Sequence, residues 1–222
     1  MTLARRALLA SALLAFTTGA VMAAAPPAAP AAEATGGPRV VRLKLDDKEY
    51  SLGRSDAPLT MVEFTDYQCP YCRAFQAQTF EALKKNYIDT GKLRFIVRDL
   101  PLEFHSSARP AAEAAHCAAE QGKFWEMHHA LLTGSEPLPG GGIDKRATAV
   151  GLDLNRLHAC MQAARYESAI ARNAATADGI GIHGTPAFVI GRAANGVLEG
   201  ALAEGAFPYA EFDGALKDML GN

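Results

Sequence analysis

Long apolar runs are scarce in this 222-residue chain. The longest candidate, from Ala7 to Val21, is broken by Ser11, Thr17, Thr18 and Gly19. At about 15 residues it falls short of the roughly 20 that a bilayer-spanning helix needs. Charge of one sign is missing too. Lys and Arg number 22 against 24 Asp and Glu, a net charge of -2. That gives no support for nucleic acid, an anionic membrane surface or a strongly acidic partner. No internal repeat is visible. Cysteine occurs four times, at 69, 72, 117 and 160, and only the first two stand close together. A four-cysteine zinc site wants a second close pair, which the chain lacks. A c-type haem needs His after the second cysteine, and this chain has Arg73 there.

What is present begins with an export signal. Arg5 and Arg6 precede the apolar run, and Val21-Met22-Ala23-Ala24-Ala25 supplies small residues where a signal peptidase cuts. Residues 1–23 read as a signal peptide cleaved after Ala23, with no cysteine nearby for a lipid anchor. The paired arginines are too common in ordinary signals to select the twin-arginine route. Residues 24–38, nearly all Ala, Pro and Gly, read as a linker without a fold of its own. The expected location is the periplasm, or the cell envelope where there is no outer membrane. An even cysteine count suits such an oxidising place.

From Arg39 onward the pattern is that of an α/β protein. Val40 to Lys44 alternates as a strand does, and Asp46-Asp47 suggests a turn into a short return strand ending at Leu52. Leu59–Thr65 fits a buried strand. A helix follows, with Phe75, Phe80, Leu83 and Tyr87 at helical spacing and Gly91 as its stop. Leu93, Phe95 and Val97 mark the next strand, and strand–helix–strand with short links predicts a parallel unit. From 105 to 182 the chain is helical and alanine-rich. Past Gly184-Thr185-Pro186 come an apolar strand at 187–190, a hairpin partner at 196–201 and a closing helix at 212–220. The expected domain is therefore 39–104 joined to 183–222, split by an all-helical insertion at 105–182.

The chemistry gathers at Cys69-Pro70-Tyr71-Cys72. Cysteines three apart at a strand-to-helix junction can meet across one helical turn. Cys69 then sits at the helix N-terminus, where unsatisfied N–H groups favour a thiolate and lower its pKa. Cys69 is expected exposed and Cys72 buried. An inert staple is the dull alternative, but so short a span closes almost no loop.

The segment Val62-Glu63-Phe64-Thr65-Asp66-Tyr67-Gln68-Cys69-Pro70-Tyr71-Cys72 resembles the active-site segment of the DsbA family of thioredoxin-fold proteins. So do Arg98-Asp99-Leu100-Pro101-Leu102 through Gln121-Gly122-Lys123-Phe124-Trp125, and Gly184-Thr185-Pro186. The resemblance runs in family order over most of the chain from residue 39. It implies a thioredoxin-like fold interrupted by a helical insertion, and thiol–disulfide exchange on exported proteins with no soluble cofactor and no metal. It also implies a membrane redox partner of the DsbB kind. Pro186 resembles the family's cis-proline, placing the Thr185 backbone against the disulfide to pair with an extended substrate. Pro70 and Tyr71 fill the variable dipeptide, in place of the Pro-His of the strongest oxidants. Glu63 resembles the buried acid that exchanges a proton with Cys72; the alternative is a solvent-facing residue on an alternating strand.

Cys117 and Cys160 are expected to form a structural disulfide inside the insertion. His128 and His129 read as a solvated helix face, and Trp125 with Phe124, Met127 and Leu131 as core. His183 is placed either in a surface loop or at the active-site mouth. Arg98 is a candidate partner for Glu63. The expected activity is disulfide donation by a monomer. The rivals are an isomerase or reductase of the same fold, a copper(I)-binding thiol protein and a non-catalytic chaperone; the copper reading lacks nearby Met or His ligands.

Overall fold

The computed structural model describes residues 39–46 and 48–221. The expected signal peptide and linker lie outside the described residues, as does half of the expected Asp46-Asp47 turn. Six strands form one mixed sheet in the order β1-β6-β5-β3-β4-β2. β3 (Leu59–Thr65) is its buried centre. It runs parallel to β4 (Leu93–Asp99) and antiparallel to β5 (Ala187–Ala194). β5 turns through Asn195 and Gly196, at φ 51° and 73°, into β6 (Val197–Glu204). Positive φ at both turn positions suits the twist of a tight hairpin, and Asn-Gly tolerates it at little cost.

The edge strands depart from expectation. β1 (Val40–Lys44) pairs with β6, whereas β2 (Tyr50–Leu52) pairs with β4. They lie at opposite edges of the sheet and do not form a hairpin. Period-two alternation reports a half-buried strand but not its neighbour, and a turn residue does not force the chain back onto itself.

Between β3 and β4 the chain is helical. α1 (Pro70–Phe75) and α2 (Glu81–Leu83) are each continued by a π-helical stretch, Gln76–Phe80 and Lys84–Ile88. Gly91, at φ 74°, then turns the chain into β4. The insertion comprises α3 (Ala108–Ala119), α4 (Phe124–Thr133), α5 (Gly142–Ala149), α6 (Leu154–Gln162) and α7 (Glu167–Gly179). Cys117 on α3 and Cys160 on α6 form a disulfide with Cα atoms 5.8 Å apart. α8 (Tyr209–Leu220) closes the chain.

The sheet has a core on each face. Met61 and Phe95 pack with Phe75, Phe80, Phe188 and Phe212 on one side, while Val62, Phe64, Ile96 and Val189 pack on the other. Each fully buried side chain of this size contributes about 1.5–3 kcal/mol relative to exposure. Since strand side chains alternate, Glu63 shares the face of Met61, the one covered by α1.

Candidate active site

Cys69 is the N-cap of α1 and Pro70 begins the helix, where a missing N–H costs no helical bond. The Cys69 Sγ lies 3.3 Å from the carbonyl oxygen of Thr185, across the cis Thr185–Pro186 bond from the start of β5. Cys72 Sγ lies 3.4 Å from the N–H of Asp66. Pro70 and Tyr71 are exposed, Tyr71 by 64%. The structure thus brings Cys69, Cys72, Thr185 and Pro186 together, with Pro70 and Tyr71 at the surface.

The expected contrast in exposure does not hold. Cys72 is fully buried, but Cys69 retains only 4%, because the Thr185 backbone closes over its sulfur. The two thiols differ in electrostatics instead. Cys69 is lowered to about 5, first by the hydrogen bond from the Cys72 thiol, against its own desolvation, and then by Thr185 and the N–H groups of Cys72 and Tyr71. Helix-end N–H groups contribute, as anticipated, but after the neighbouring thiol. Cys72 is pushed strongly upward by burial and by the proton it shares with Cys69. One thiol ionises readily and the other holds its proton.

Glu63 is completely buried. Both carboxylate oxygens lack a hydrogen-bond partner, so the solvent-facing alternative is excluded. Desolvation raises it to about 8, opposed by Thr65 and reinforced by charge on Cys69. Charge on Glu63 in turn raises Cys72, so the two groups compete for charge. Arg98 is not its counter-ion. That guanidinium pairs with Glu49 and donates to the Lys44 carbonyl, on the opposite face of the sheet from Glu63.

His128 also departs from expectation. It is buried, and its Nδ1 lies 3.0 Å from the Tyr67 hydroxyl; desolvation holds it down at about 3. The signal was present, since His128 shares a helical face with Phe124 and Leu131 at i−4 and i+3. His129 is exposed, with Nδ1 3.2 Å from Gln76 Nε2. His183 is an exposed loop residue 3.6 Å from Asp178. Among the described residues no group of three or more His, Cys, Asp or Glu is placed to hold a metal ion. Asp66 contacts both halves of the motif, a role that no local pattern in the sequence signals.

The thioredoxin family model matches residues 46–217, and the chain belongs to the thioredoxin family. Within it, the fold is DsbA-like, a thioredoxin-like sheet interrupted by a helical insertion. It is similar to the thioredoxin-like oxidoreductase from Silicibacter pomeroyi, at 31% identity and a TM-score of 0.67, over 80% of this chain and 95% of that one. Two further likenesses carry the fold. They are to Wolbachia pipientis alpha-DsbA1 (TM-score 0.72, 23% identity, 81% and 94% coverage) and oxidised BdbD from Bacillus subtilis (0.68, 23%, 82% and 99%). By sequence the chain is 37% identical over 145 residues to the Na(+)/H(+) antiporter NhaA 3 of Salinispora tropica, across 65% of this chain. It spans only 22% of that antiporter's length. Among the described residues no helix is long and apolar enough to cross a membrane.

Proposed function

We propose that this protein donates disulfides to exported proteins through Cys69 and Cys72. The observation that carries the reading is the opposed pair of thiols, with Cys69 at about 5 and Cys72 driven upward. In the oxidised enzyme, a substrate thiolate attacks the Cys69 sulfur. The Cys69–Cys72 bond breaks, a mixed disulfide forms, and the electron pair leaves on Cys72. Cys72 as thiolate is costly where it is buried, so it takes a proton, which Glu63 can deliver. A second substrate thiolate then attacks the substrate sulfur of the mixed disulfide and expels Cys69. Cys69 is the better leaving group because its thiolate is stable. The products are a substrate disulfide and a dithiol enzyme.

Thr185 and Pro186 would present the backbone to an extended substrate segment, with Pro70 and Tyr71 at its flank. A membrane oxidase of the DsbB kind would return the enzyme to its disulfide form. Export to the periplasm and action as a monomer complete the reading. The test is to mix oxidised enzyme with a reduced, unfolded model substrate and, separately, reduced enzyme with a scrambled one. Stoichiometric oxidation of the first supports donation. Refolding of the second without oxidation of the first makes the protein an isomerase.

A further inference from the structure

Asp66 ends the turn between β3 and α1 nearest the sheet, and the exchange steps above give it nothing to do. Its carboxylate is fully buried, where an ionised group is stable only if its lone pairs are met by donors. Each oxygen has two. Oδ1 accepts from the N–H of Gln68 at 2.7 Å and of Cys69 at 3.1 Å. Oδ2 accepts from the N–H of Leu102 at 2.9 Å and from Nδ1 of His105 at 2.8 Å. The backbone of the same residue reaches the motif as well. Its N–H approaches the Cys72 sulfur at 3.4 Å, and its carbonyl accepts from Cys69 N–H at 3.1 Å. Cys69 supplies no side-chain cap to α1, so Asp66 anchors the turn that carries it. Gln68 adds a second tie across the gap, accepting from Ser107 N–H at 2.8 Å.

We propose that Asp66 is a positioning residue for disulfide exchange: buttressed by His105, its carboxylate holds Cys69 and Cys72 in one register and locks the motif turn to the 100–107 loop. The proposal rests on the reading of Cys69 as the exchanging thiol. Asp66 meets both cysteines, Cys69 at its N–H and Cys72 at its sulfur, so the alignment of the two sulfurs runs through it. A turn freed from Asp66 loses the alignment between the two sulfurs before it loses the fold. A carboxylate that merely stabilises the loop would change the melting temperature and leave the thiol chemistry alone.

Asp66→Asn keeps the shape but turns an N–H toward at least one pair of existing donors. In the full chain, the Cys69 thiolate is titrated by its ultraviolet absorbance and the dithiol is equilibrated with glutathione. The expected result is a midpoint higher by at least about one pH unit, which is about tenfold less thiolate below the midpoint. The glutathione equilibrium should move toward the enzyme disulfide. His105→Phe should shift both in the same direction by less, and His105→Gln, which keeps a donor, should restore them. Wild-type values for Asp66→Asn and His105→Phe overturn the proposal, whatever happens to the melting temperature. Should Asp66→Asn fail to fold, identical titrations for His105→Phe and His105→Gln overturn it. A wild-type Cys69 with an ordinary thiol midpoint removes the Cys69 reading and this proposal with it; a low wild-type midpoint with unmoved variants removes this proposal alone.

Discussion

At the scale of single residues, Glu63 and His128 are two buried titratable groups pulled in opposite directions by the same cause. Burial disfavours charge, so the acid rises from 4.5 to about 8 and the base falls from 6.5 to about 3. Between pH 4.5 and 8 the folded chain holds a proton on Glu63 that the unfolded chain releases. Raising the pH through that window therefore costs stability. Between 3 and 6.5 the unfolded chain holds a proton on His128 that the folded chain lacks, so lowering the pH through that window costs stability. The two slopes oppose each other from 4.5 to 6.5, and the stability maximum is expected there. Glu63→Gln should flatten the alkaline arm, by up to a few kcal/mol between pH 6 and 9, in chemical denaturation at each pH. It should also slow turnover, since an amide cannot pass a proton to Cys72. A variant with the wild-type alkaline slope and wild-type turnover at every pH would remove Glu63 from both roles. Cys69 should react with iodoacetamide at pH 6 while Cys72 does not, although both are buried, because it is the thiolate that attacks.

At the scale of elements, the disulfide joining α3 to α6 closes a loop of 43 residues. The chain-entropy relation gives about 4 kcal/mol for such a loop. Replacing Cys117 and Cys160 together by Ala should lower unfolding free energy by up to that amount. The Cys69 thiolate midpoint should stay where it is, since the bridge joins α3 to α6 and the motif is on α1. A variant as stable as the wild type would show that the bridge constrains little in the unfolded chain. The elements are also where sequence reading succeeded most. The run Leu59–Thr65, the helix opened by Pro70, the hairpin expected at 187–190 and 196–201, which extends to Ala194 and Glu204, and the helices of the insertion all carry local signals of period, cap or turn. What such signals do not carry is partnership. β1 and β2 look like a hairpin and are opposite edges, because their partners lie far along the chain, Lys44 pairing with Val197 and Tyr50 with Val97. Arg98 finds Glu49 rather than Glu63 because Glu63 stands level with Val97, on the other face of the sheet. The site itself was legible through the motif, Glu63 and the Gly-Thr-Pro. The low exposure of Cys69 was not, because Thr185, 116 residues on, covers it. Nor was the grip of Asp66, whose partners Leu102 and His105 lie on a loop with no pattern of its own.

At the scale of the whole molecule, the direction in which electrons flow is set by how far the fold favours the dithiol over the disulfide. Stabilising the Cys69 thiolate stabilises the reduced form and makes the protein a stronger oxidant. Thioredoxin, with a thiol near 7, stands at roughly -270 mV. A thiol at about 5 is more stabilised at pH 7 by roughly 2 kcal/mol, which in a two-electron couple is about 50 mV. The pair is accordingly expected near about -220 mV, above thioredoxin and below the roughly -120 mV of DsbA. That interval agrees with Tyr71 at the dipeptide position where the strongest oxidants carry His, since Tyr71 is exposed and offers the thiolate no cationic neighbour. The potential follows from the fraction of dithiol at equilibrium in a series of glutathione ratios at pH 7. A value at or below that of thioredoxin would mean that the buried environment of Cys72 and Glu63 holds the disulfide more tightly than Cys69 favours its release. Electrons would then flow outward, and the protein would act as a reductant of exported disulfides.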